Sequence, residues 1–429
     1  MVNLKEIYEE VDNLSKKKVM ELMSTLINID TSVPPGKNYR EYVNSVIPYF
    51  KDLEYELTEV TLPEDLIEQI PFPLEGPRVN LVAKKNYNQE KEVTFYSHID
   101  VVPVPEEDIE NWRFPPFEAT MVKSGKIFGR GIADMKGTLV CLIIALQIIQ
   151  KLNLIPKFNV NVLTCTDEEL GVYPGVRYLA ERGYVKGTIF CMEGVINPFL
   201  PVGLAGCLDI EIEITGKSAP AGRNFMGINA LEEAIPILVE LKKLKKKVEK
   251  RESKVIPGFP EFGTGKKRNL TPAFNLDVIR AGIKANIVPD LCTLKIDRRI
   301  IPEENYVDVK LEILNAVERG KEKSKAVDVK VFFIYTYPPT KVNPNAFGVK
   351  RFKKTLSLVQ NIPEEKIIHV GDAGASDMGF VSQILNTQDI IIHNVANVGS
   401  NFHGVNENIK LKDIKTFIKE IIVFLCADL

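Results

Sequence analysis

His98 and Asp100 leave the apolar run Val93-Thr-Phe-Tyr-Ser97 two residues apart. In extended chain that spacing turns both side chains to one side, so that one can ligate a metal and the other orient it. Further acids and a second histidine follow apolar runs of their own. Asp167-Glu168-Glu169 comes after Asn159–Cys165, Glu193-Gly194 after Gly187–Met192, and His403-Gly404 in a glycine-flanked loop after Ile390–Val395, while Asp134 follows the glycine pair of Gly129-Arg-Gly131. The strand ends of an open α/β sheet are where ligands bind. If Asp134, Glu168, Glu169 and Glu193 converge there, their mutual repulsion in a partly dry site is costly unless cations neutralise it. A pair of divalent ions makes such a cluster physically sensible.

Each of these residues taken alone has a plainer reading. Glu168-Glu169 also suits an acidic helix N-terminus, and a lone His98 or His403 is as readily a core or surface residue. The other two histidines, His369 and His393, sit inside strand-like runs and read as hydrogen-bonded structural residues. Gly129-x-Gly131 lacks the third glycine of a dinucleotide-binding loop, and Asp134 would repel a pyrophosphate. Nucleotide binding at that loop is discounted.

The chain around these residues has 429 positions, 45% of them hydrophobic, which is enough for a large core and suggests two domains. Lys+Arg number 55 against 57 Asp+Glu, a net charge of −2, so composition points to neither nucleic acid nor an anionic membrane as partner. The charged N-terminus is unlike a secretory signal, and the longest apolar run, Thr138–Ile149, is too short to cross a bilayer. A soluble, cytoplasmic protein is expected. Six cysteines without a C-x-x-C pair read as small reduced core residues.

Periodicity places the elements. Helical spacing from Leu4 to Asn28 predicts a helix or helix pair, followed by a helix over Tyr39–Leu53 and a strand over Tyr55–Thr61. Arg78–Ala83 and Glu92–Tyr96 read as neighbouring strands. The proline-rich, acidic loop Pro103–Phe117 with the single tryptophan, Trp112, is expected to form a pocket wall. Helix 137–152, strand 158–164, helix 175–182 and strand 188–192 then complete a doubly wound α/β start with parallel strands.

The pattern changes at Gly206, where Leu208, Ile210, Ile212 and Ile214 alternate with acids, as in an antiparallel strand with one wet face. The order β-α-β-β-α-β to Tyr335 is the ferredoxin-like split βαβ arrangement. The expected division is therefore 1–205 and 338–429 as one discontinuous α/β domain, with 206–337 as an inserted α+β domain.

Together, His98-x-Asp100, Gly129-Arg-Gly-x-x-Asp134-Met-Lys-Gly137, Asp167-Glu168-Glu169, Glu193-Gly194 and His403-Gly-x-Asn-Glu407 resemble the motifs of the M20 metallopeptidase family, in the family's order and over nearly the whole chain. The resemblance implies two divalent ions, zinc first, with cobalt or manganese able to fit the same N/O ligands. His98, Asp134 and Glu193 would hold one, and Asp134, Glu169 and His403 the other. Asp100 would fix the tautomer of His98, and Glu168 would be the general base for amide hydrolysis. Arg299, Asn286 and Ser376 match shorter motifs expected to hold a substrate carboxylate.

The inserted domain would be the family's lid and dimerisation domain, so a homodimer is expected. The implied substrate is an N-acyl amino acid, as for the acetylornithine deacetylase and succinyl-diaminopimelate desuccinylase branch. A carboxypeptidase or dipeptidase is the alternative. In one place the chain departs from the pattern: Gly216-Lys-Ser-Ala-Pro220 carries proline where the family has a histidine that stabilises the oxyanion. That leaves open a weakly active metal-binding paralogue.

Overall fold

A computed structural model of the chain describes residues 2–194, 199–259 and 268–429. It divides into two compact units. The first comprises Met1–Pro201, Val342–His369 and Phe380–Leu429, and the second comprises Val202–Lys341 and Val370–Gly379. The short return 370–379 thus groups with the second unit, tied by backbone hydrogen bonds from Ala205 N to Asp372 O (2.9 Å) and from Gly371 N to Pro257 O.

In the first unit the N-terminal helical pattern splits into α1 (Leu4–Asp12) and α2 (Lys16–Ile27). Ser15 makes the break, its hydroxyl accepting from Lys18 N as the cap of α2. Then follow α3 (Tyr39–Asp52), β1 (Glu56–Thr61), β2 (Val79–Lys85), β3 (Glu92–His98), the almost wholly buried α4 (Lys136–Lys151), β4 (Asn159–Cys165), α5 (Gly175–Glu181) and β5 (Thr188–Cys191).

The sheet order is β1-β2-β4-β3-β5, closed by the strand Ile390–Ile392. β3 runs parallel to β4 and β5, and β5 parallel to Ile390–Ile392, whereas β1–β2 and β2–β4 are antiparallel. β2 and β3 are therefore not neighbours, contrary to the sequence expectation, because β4 lies between them. The link between them is wrapped around the start of β4: Asn159 Oδ1 accepts from Tyr87 N and Gln89 N at 2.9 and 3.1 Å, and Asn159 N donates to Lys91 O at 2.8 Å.

Behind the sheet, Phe190 stacks on Phe95 with centroids 5.0 Å apart and meets Phe352 and Phe424 edge-on. The C-terminal helix Leu411–Cys426 thereby seals the core, a packing worth about 0.5–1.5 kcal/mol per aromatic pair beyond area burial.

In the second unit β6 (Gly206–Thr215), α6 (Ala230–Val248), β7 (Ala273–Ala281), β8 (Leu291–Ile300), α7 (Tyr306–Lys321) and β9 (Asp328–Tyr337) follow in the β-α-β-β-α-β order. They form an antiparallel sheet β7-β8-β6-β9. Leu208, Ile210, Ile212 and Ile214 on one face of β6 share a core with Ile237 and Leu241 of α6 and Ile313 of α7. The alternation in the sequence is this division between a helix-covered face and an open one.

Candidate metal centre

Parallel registration aligns the carboxyl ends of the central strands: His98 lies opposite Cys165, and Cys191 opposite both Tyr96 and Ile392. The residues that follow each strand therefore emerge along one edge. His98 ends β3, Glu168 and Glu169 follow β4, Glu193 follows β5, and His403 lies in the loop after Ile392.

These side chains and Asp134 meet. Asp134 Oδ1 is 3.2 Å from His98 Nε2, its Oδ2 is 3.2 Å from His403 Nε2, and Glu169 Oε1 is 3.0 Å from the same His403 nitrogen. One potential ligand atom each from His98, Asp134 and Glu169 lies within 4.8 Å of the others, as do those of His98, Glu168 and Glu193. All the sequence-predicted ligands, and Glu168, share this crevice.

The acids favour positive charge on the two imidazoles. Burial disfavours protonation of His98, but Asp134, Asp100 and Glu168 outweigh it and raise its pKa well above the usual value. Hydrogen bonds to Asp134 and Glu169 push His403 up to about 10. Asp134 is lowered despite its burial, because both imidazoles bond to it. Among the described residues Asp134 and Glu169 form ion pairs with imidazoles and with no lysine or arginine. Imidazole nitrogens and carboxylate oxygens that need positive charge between them suit divalent cations, which supply it to all the donors at once.

Three further carboxylates hold the turns and loops that carry these donors. His98 Nδ1–H donates to the main-chain carbonyl of Asp100 at 3.0 Å, leaving Nε2 to face the crevice. The expected acceptor, the Asp100 carboxylate, is farther away at 3.7 Å. Its Oδ2 accepts instead from Glu169 N at 2.7 Å, so Asp100 couples the end of β3 to the turn after β4.

Asp167 holds that turn from the other side. It adopts a left-handed φ of 64°, a backbone cost of order 1–3 kcal/mol that persists only when neighbours enforce it. Here Tyr39 OH donates to its Oδ1 at 2.9 Å, and the fully buried Arg78 lies 3.4 Å from its Oδ2. Burial raises the Asp167 pKa to about 7 against the pull of Arg78.

Glu407 anchors the third loop. Its Oε2 accepts from Arg130 Nη1 (2.7 Å) and Gly131 N (3.0 Å), and its Oε1 from Ala133 N (2.8 Å) and Asp134 N (3.2 Å). Arg130 also donates to His403 O at 3.0 Å, tethering the histidine loop, where His403 takes a left-handed φ of 57°. Trp112 stacks under Arg130, 5.3 Å from ring centroid to guanidinium, so the loop 103–117 buttresses this anchor.

The roles of Arg78, Tyr39, Arg130 and Glu407 were not read from the sequence. Glu407 closes the His403 motif, and the structure ties it to the Asp134 loop.

Arg299, Asn286 and Ser376 all belong to the second unit. Arg299 Nε donates to Asp297 Oδ1 at 3.0 Å, the Asn286 carbonyl accepts from Ala221 N at 3.0 Å, and Ser376 is buried beside Asp377. Pro220 pairs with Ile287 in a two-stranded ribbon. His393 is a structural residue as expected, its Nε2 bonded to the buried Glu420 at 2.9 Å. The half-buried His369, expected to be hydrogen-bonded, has no partner for its Nε2 among the described residues.

The family model for peptidases M20/M25/M40 matches residues 94–425. The chain belongs to the M20 family. As an M20 chain it is a hydrolase of the peptidase and amidohydrolase kind, and its relatives are consistent with that. An uncharacterized metallohydrolase of Methanocaldococcus jannaschii is 27% identical over 93% of this chain and 96% of its own length. A probable succinyl-diaminopimelate desuccinylase of Staphylococcus aureus is 28% identical over 72% of this chain and 75% of its own. Among solved structures, an M20 family metallo-carboxypeptidase from Sulfolobus solfataricus superposes with a TM-score of 0.75 at 20% identity, covering 96% of this M20 chain and 98% of its own. No helix of the described residues is long and apolar enough to cross a membrane.

Proposed function

We infer that this M20 hydrolase cleaves the amide bond of an N-acyl amino acid with two divalent cations, zinc first, held by His98, Asp134 and Glu193 and by Asp134, Glu169 and His403. The observation that carries this reading is the Asp134 carboxylate, which turns one oxygen to each imidazole. The cations would supply a water acidified towards neutral pH and an electrophile for the scissile carbonyl. Glu168, the acid beside ligand Glu169, takes the proton of the attacking water and passes it to the leaving amine. Asp100 keeps His98 in the ligating tautomer and holds the amide of Glu169, so the base and the ligand keep their spacing. Arg299, Asn286 and Ser376 are assigned to the substrate carboxylate.

An exposed apolar stripe on α6, Leu231, Ile235 and Val239, supports a homodimer through the second unit. Sedimentation or scattering in solution tests it.

A second reading rests on the histidine count. The chain has four histidines; two lie in the crevice and the others at 369 and 393, so residues 206–337 contain no imidazole. Losing one oxyanion donor costs about a hundredfold to a thousandfold in rate, and a slow or silent paralogue would result unless another donor serves. Metal-loaded protein assayed against N-acetylornithine, succinyl-diaminopimelate and a dipeptide panel separates deacylase, peptidase and silent paralogue. Glu168→Ala should abolish turnover with metal content retained, whereas Asp134→Ala should lose the metal. Turnover surviving Glu168→Ala removes the proposed base.

A further inference from the structure

A second concave site in the first unit shares no residue with the crevice. It is a cavity of about 580 Å³ lined by Lys16, Lys123, Lys410, Lys412, Lys415 and Lys419, with Asp12 the only acid in its lining. Asp12 occupies two of these lysines: its carboxylate takes Lys419 Nζ at 2.8 and 2.9 Å, and its carbonyl takes Lys415 Nζ at 2.6 Å. Lys16, Lys123, Lys410 and Lys412 form no ion pair among the described residues. Asp413, the other acid close to Lys410 and Lys412, accepts from Asn397 Nδ2 at 2.9 Å and does not line the cavity.

Two helices add to this charge. α2 opens on Lys16-Lys17-Lys18 with no acid in its first turn, and the helix Leu411–Cys426 starts from Lys410 without a side-chain cap, with Asp413 the acid of its first turn. Cations at helix N-termini oppose the macrodipole preference. A chain with a net charge of −2 thus concentrates cations in a hollow where its own folding disfavours them. A bound anion would offset that cost.

We propose that this cavity binds a small anion carrying two or more phosphate groups. Four exposed lysines without an ion pair line it with ammonium groups, point charges that suit phosphate oxygens, and Ser124 and Thr416 join the lining. A single carboxylate would leave most of the charge unmatched. No aromatic ring lines the cavity, so the phosphate chain is the recognised part, whether inorganic or the tail of a nucleotide. The volume lies within the usual ligand-pocket range of about 300–1,000 Å³.

Calorimetric titration of the full-length protein with tripolyphosphate and with ATP, both free of magnesium, tests this. Equal affinities assign recognition to the phosphate chain alone, and tighter ATP binding assigns a contribution to the nucleoside. Lys16→Gln and Lys412→Gln should each weaken binding about tenfold, one charge-assisted contact apiece, and Lys412→Glu should abolish it. Both probes chelate metals, so the titration is repeated on Asp134→Asn, where binding should persist. Without anion, Lys412→Gln should melt at or above the parent temperature, and saturating tripolyphosphate should reverse the order. No binding at millimolar concentration, equal binding by Lys412→Glu, loss of binding in Asp134→Asn, or tighter binding of single-stranded RNA than of either probe would overturn the proposal.

Discussion

Replacing Glu407 by glutamine tests whether the non-ligating carboxylates set the metal site or merely fill the core. The side chain is 1% exposed and takes four hydrogen bonds, three from the backbone of the loop that delivers Asp134 and one from Arg130. Glutamine keeps one acceptor oxygen and turns an NH₂ group towards donors, so about half of these bonds are lost and the buried Arg130 is left without its counter-charge. Breaking a buried pair on one side costs about 3–5 kcal/mol. The Asp134 loop then loses its fastening, and a lost partner of this kind typically lowers metal affinity 10–100-fold. Denaturant unfolding measures the first effect, and competition with a zinc chelator under folding conditions measures the second. A Glu407→Gln protein that unfolds more easily but binds zinc within twofold of the parent would refute a positioning role for Glu407.

Other outcomes follow from the same geometry. Arg78→Met should destabilise the fold by about 3–5 kcal/mol by leaving buried Asp167 without its counter-charge, and should lower kcat through the Glu168 turn; unchanged denaturation midpoints would contradict the pairing. Gly175→Ala would set a Cβ 2.0 Å from Asn80 Oδ1, which holds Thr166 N at the start of that turn, so a cost of about 1–3 kcal/mol is expected along with slower turnover. For His403 the folded pKa is raised from 6.5 to about 10. In metal-free protein its stabilising contribution is therefore complete below 6.5 and lost as pH climbs through about 10. Metal must displace that proton, so zinc affinity should rise across this window and calorimetry in buffers of different ionisation enthalpy should register proton release. Heats independent of the buffer would exclude it.

Much of this was legible in the chain. Apart from Asp134, each predicted ligand stands just beyond an apolar run, and the carboxyl edge of a parallel sheet is where such residues collect, so their meeting was a condition the pattern could pose. The alternation from Leu208 to Ile214 likewise announced the second unit. Strand neighbours were less legible, because the order β2-β4-β3 depends on Asn159 gripping a loop, a contact without periodicity. The anchors were hidden for a related reason. A buried arginine such as Arg78 or Arg130 looks like any surface cation in sequence, and Glu407 lies 273 residues from the amide of Asp134 that it holds.

The crevice owes its shape to Asp100, Asp167 and Glu407, none of which needs to touch an ion. Their contacts run to backbone amides and to Tyr39, Arg78 and Arg130, so the frame can be altered by mutation without touching a donor.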